Sequence, residues 1–227
     1  LERTYTIYAY DINANSHTAL SGFATDVNKA VPTAACLGST SDSNGNKPIY
    51  IAFHELGVNE RYDSATYGAN SKTHLYRLGY TESGGTVTHN YKRLLEYTSI
   101  AAGGNAFISD PEQLCVLEMV EGIASNNSSR LCMSTLQADA IDTDQVSTPA
   151  YRLWVYDDAA TETSTATVLN AYRRSQYRLT GLAHVNLGGS SNDRRVMFLE
   201  DKTGYLKTHD MSDSTESGQS IFTTIHN

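Results

Sequence analysis

Cysteine, tryptophan, proline and basic residues are all scarce in this chain. In 227 residues there are three Cys, one Trp and four Pro, and 17 Lys and Arg stand against 25 Asp and Glu, for a net charge of −8. Each shortage excludes something. Cys36, Cys115 and Cys132 are an odd number without metal-ligand spacing, so neither a disulfide framework nor a zinc site underlies the fold. A Cys115 to Cys132 bond around the loop 123–129 and free thiols packed as small hydrophobes both stay open. A negative chain with scattered basic residues lacks the field that gathers phosphates, so nucleic acid is not an expected partner. No apolar run approaches the roughly 18 residues of a membrane helix, so no membrane insertion is expected, and no segment reads as a signal peptide. GxSxG, phosphate-loop and dinucleotide fingerprints are missing, and the seven histidines contain no HExxH.

What the chain does have is a repeated grammar: a small-residue strand, a polar loop, then an apolar strand. It reads Thr33-Ala34-Ala35-Cys36-Leu37-Gly38 then 48–55, Ser99-Ile100-Ala101-Ala102-Gly103-Gly104 then 113–121, and Gly181-Leu182-Ala183-His184 then 194–201. In each copy the small pair precedes the centre of the apolar strand by about 13 to 14 residues, so spacing repeats as well as composition. An aromatic alternating segment follows each copy, at 73–80, 151–156 and 204–209, and then a fourth strand at 86–92, 166–173 and 220–225. Residues 4–10 and 19–27 read as the third and fourth strands of a unit whose first half is absent.

Alternation with period two between Gly, Asn, Asp and Ser clusters argues strands, because side chains switch faces at every residue of a pleated strand. Residues 112–125 can be forced into a helix but fit a strand as well. The expected fold is all-β: a β-propeller-like array of about three four-stranded repeat units plus a leading half-unit, in a single domain. The boundaries are 1–30 for the half-unit and 31–97, 98–178 and 179–227 for the units. Ala35, Ala102 and Ala183 should be equivalent, buried at the crowded inner edges of their sheets. So few units do not make a usual closed ring. Either the strand 220–225 joins the strand 4–10 in one sheet, or copies associate as a homo-oligomer.

The third copy, Leu182-Ala183-His184-Val185 then Arg194-Arg195-Val196-Met197-Phe198-Leu199-Glu200-Asp201-Lys202-Thr203-Gly204-Tyr205-Leu206, resembles a blade of the fungal fucose-specific lectins, which are six-bladed propellers. As architecture the resemblance covers most of the chain, and as motif about 25 residues. It implies that the Arg preceding the Val of the second strand hydrogen-bonds the sugar. Arg195 holds that place; the comparable stretches of the other copies are Pro48-Ile49-Tyr50 and Leu114-Cys115-Val116. The glutamate implied on the third strand falls at Thr208, Arg77 stands near the equivalent place in the first copy, and the fourth-strand Trp has no counterpart.

Tyrosine dominates the aromatics, 15 against five Phe and one Trp. A Tyr ring offers an apolar plane to sugar C–H faces and a hydroxyl to their neighbours, although aromatics also pack across strand pairs for purely structural reasons. With Arg195, the loop-proximal Tyr62, Tyr67, Tyr97 and Tyr177 are the candidate sugar-binding residues. Asp42-Ser43-Asn44-Gly45-Asn46 has a calcium-like opening, but its Gly comes one place early and no closing Glu follows, so a turn is expected, with no metal and no cofactor. Glu55, Glu118, Glu200 and Asp201 are the carboxylates available to a hydrolase. Leu1 in place of Met suggests processing or an excised domain, and sequons at Asn126 and Asn127 suit a secreted or extracellular protein. The expected function is therefore a secreted, non-catalytic, lectin-like module whose partners are glycans. The alternatives are a structural or protein-interaction propeller with a protein partner and, third, a glycoside-acting hydrolase.

Overall fold

A computed structural model describes residues 7–19, 30–38, 47–55, 72–83, 86–98, 114–123, 129–138, 149–157, 168–175, 177–188, 194–211 and 223–226. The fold is all-β. Strands β1 (Tyr8–Asp11) and β2 (Ser16–Ala19) form a hairpin. The first four-stranded sheet is β3 (Val31–Leu37), β4 (Ile49–Glu55), β5 (Lys72–Ser83) and β6 (Thr86–Thr98). The second is β7 (Leu114–Ile123), β8 (Ser129–Ala138), β9 (Pro149–Asp157) and β10 (Val168–Ser175), and the third β11 (Leu179–Asn186), β12 (Arg194–Glu200), β13 (Tyr205–Asp210) and β14 (Thr223–His226). In all three the strands pair antiparallel in chain order, a simple meander. Among the described residues β14 pairs with β13 and β1 with β2, so the two ends of the array do not share a sheet.

The leading hairpin turns earlier than its sequence pattern suggests. Asp11 Oδ1 accepts the amides of Asn13 and Ala14 at 2.8 and 2.9 Å, and Asn15 takes a left-handed φ of 49°, which together reverse the chain before residue 16.

The second sheet corrects the sequence alignment more deeply. The apolar segment 113–121 is not a second strand but the first, β7, and the second is β8, which the repeat pattern overlooked. The small-residue segment 99–104 lies outside the described residues. β8 escaped because Leu131, Cys132, Met133 and Ser134 are all buried. A strand covered on both faces shows no alternation.

Each first strand carries an irregularity against its second strand, between Pro32 and Ala34, Val116 and Glu118, and Thr180 and Ala183. Aligned on these bulges, the equivalent residues are Ala34, Glu118 and Ala183, opposite Ala52, Ser134 and Met197. The pairing of Ala35 with Ala183 was therefore one residue out of register. Ala35 is exposed and Ala183 half-buried, which overturns the expected burial of both, and Ala102 lies outside the described residues. A one-residue slip moves a side chain to the opposite face.

The sheets stack in chain order. Ile51, Phe53 and Tyr76 of the first sheet pack with Ala30, Ile49 and Ile7, the residue just before the hairpin, with the Phe53 and Tyr76 rings edge to face at 5.8 Å. The junction between second and third sheets is apolar, built from Cys132 and Leu153 against Leu179, Val196, Phe198 and Met211. At one end of that junction a Cβ built on Gly122 would lie 2.3 Å from His184 Cδ2 and 2.5 Å from Cγ. The imidazole Nε2 is buried without a hydrogen-bond partner among the described residues, so packing on Gly122 is what positions the ring. Gly122→Ala should lower unfolding free energy by about 1–2 kcal/mol through overpacking. Adding His184→Ala should recover most of it in a double-mutant cycle of urea melts, and additive losses would show that the two do not press on one another.

Candidate functional site

The second and third strands of the first and second sheets turn one face to the sheet that follows, and the third sheet has an equivalent face. Cross-strand register puts Tyr50 opposite Arg77 on β4 and β5, and Arg195 opposite Asp210 on β12 and β13. The bulge alignment makes Tyr50, Cys132 and Arg195 equivalent positions.

In the first sheet this face is sealed. Tyr50 and Arg77 are buried, and from the second sheet come buried Glu121 and Ser129, whose hydroxyl donates to Glu121 Oε1. The Tyr50 phenol is pushed upward by burial first, then by the Glu121 carboxylate, while the Arg77 guanidinium pulls the other way. Tyr50, Arg77 and Glu121 thus form one buried polar cluster between facing sheets.

In the third sheet the same face is only partly covered. Val196 and Phe198 point into the core, so alternation sends Arg195, Met197 and Leu199 to the far side. Arg195 is half-buried, and its Nη1 donates to Thr208 Oγ1 at 3.4 Å. The half-buried Asp210 lies directly across on β13. A rigid donor fork and a carboxylate acceptor on neighbouring strands, beside half-buried Val185 and Met197, offer both polar and apolar contacts to a ligand.

Of the residues singled out from sequence, Tyr177 is half-buried at the foot of β11, with the Lys202 ammonium 6.0 Å from its ring centroid. It sits at the other end of the sheet from Arg195, since Leu179 pairs with Glu200, roughly 16 Å along β12 from Arg195. Tyr97 lies on β6 opposite Thr73. Tyr62 and Tyr67 lie outside the described residues, as do the loop 42–46 and the sequons. The structure therefore does not bring Arg195 and Tyr177 into one site, and Asp210 is the partner that sequence reading missed. Only the β12–β13 register reveals it.

Among the described residues, no group of three or more His, Cys, Asp and Glu could hold a metal ion, and no helix is long and apolar enough to cross a membrane. Three glutamates are engaged in packing. Glu118 accepts from the Thr180 hydroxyl and from the Gly181 and Leu182 amides at 2.6 and 3.3 Å. Glu121 accepts from Ser129, and Glu200 pairs with Lys207 at 2.8 Å and accepts from the Thr203 hydroxyl at 3.1 Å.

All three cysteines are free thiols, which settles the alternative left open by their spacing. Burial pushes Cys36 and Cys132 up from 9.0 to about 12, the Glu121 carboxylate adding to the effect at Cys36 and the Arg130 cation opposing it at Cys132. The unfolded chain releases these protons near pH 9 and the folded chain only near 12. Above pH 9 the unfolded state thus binds fewer protons, and stability falls as pH rises. Urea midpoints should fall progressively between pH 9 and 12, less so in Cys36→Ala; a profile flat to pH 12 would contradict the burial of both thiols.

No protein-family model, curated protein or solved structure matches this chain.

Proposed function

We propose that the chain is a secreted, non-catalytic carbohydrate-binding module, its stacked sheets forming a propeller-like array that reads sugar hydroxyls at the Arg195–Asp210 face. The observation that carries this reading is the opposition of Arg195 and Asp210 on adjacent strands of a partly open sheet face. Vicinal hydroxyls need a donor fork on one side and an acceptor on the other, and a guanidinium and a carboxylate supply both. The non-catalytic part of the proposal is supported by the engagement of Glu118, Glu121 and Glu200 in packing.

Arg195→Ala should abolish binding on a glycan array and leave the melting temperature unchanged, because Arg195 contributes little to the core. Parallel loss of binding and folding would make Arg195 structural. A second reading, a structural or protein-interaction scaffold, is favoured by the first sheet, where the equivalent Tyr50–Arg77 position is used entirely for packing. A wild-type array without signal would select that reading.

A further inference from the structure

We draw no further inference here: the strongest candidate, the two-stranded ribbon in which β5 and β6 run past Ile49 with Tyr80 opposite His89 and Thr81 opposite Thr88, carries nothing because nothing in the structure shows what covers its faces.

Discussion

Arg77→Met is expected to cost about 3–5 kcal/mol of unfolding free energy, the loss typical of removing one member of a buried, mutually compensating pair of charges. Arg77 and Glu121 are 5 % and 3 % exposed and act on Tyr50 from facing sheets, the cation opposing the carboxylate. Water cannot take over when the guanidinium goes, and the buried carboxylate, which accepts from the Ser129 hydroxyl, then lacks the cation that opposes its charge. Glu121→Gln added to Arg77→Met should restore stability to within about 1–2 kcal/mol of the parent, because the uncompensated charge then disappears with its partner. Urea melts of the two single variants and the double variant test this. A loss below about 1 kcal/mol in Arg77→Met would mean that the cluster is solvated like a surface pair.

Glu118→Ala should destabilise by about 3 kcal/mol, the upper end for hydrogen bonds to a charged group. Its carboxylate reaches from β7 to the bulge at the start of β11, taking the Thr180 hydroxyl and the Gly181 and Leu182 amides, with the Arg178 guanidinium 3.8 Å away. Gly181 adopts a φ of +66° there, which turns consecutive amides toward one acceptor. The staple therefore joins second and third sheets and fixes the bulge together. Hydrogen exchange should accelerate at Gly181 and Leu182 in Glu118→Ala while the first sheet stays protected. Uniform acceleration would instead show that the sheets open as one cooperative unit.

Legibility in the sequence followed the repeat grammar rather than burial. β4 and β12 share the pattern ending Phe53-His54-Glu55 and Phe198-Leu199-Glu200, and each was placed within a residue or two, although β4 is buried on both faces and β12 on one. β8, also buried on both faces, offered no alternation, and with 113–121 already read as the second strand its omission moved the alignment of the whole second sheet by one strand. The small-residue strands were found, but their register was not, since neighbouring alanines give composition without saying which one follows the bulge. At the candidate site Arg195 stood out through its resemblance to a lectin blade, whereas Asp210 carried no signal of its own.

The sequence by itself determined that the chain is all-β, that its units are four-stranded with a leading partial unit, and that the cysteines are not a framework. Those are consequences of alternation, turn chemistry and composition, all local along the chain. Only the tertiary structure decided which face each strand turns to its neighbour: that Glu121 meets Tyr50, that Glu118 crosses to Gly181, that Gly122 makes room for His184, and that Asp210 stands opposite Arg195. These pairs join residues between 15 and 71 positions apart in sequence only through register and stacking, and a shift of one residue in either would send each side chain to the other face.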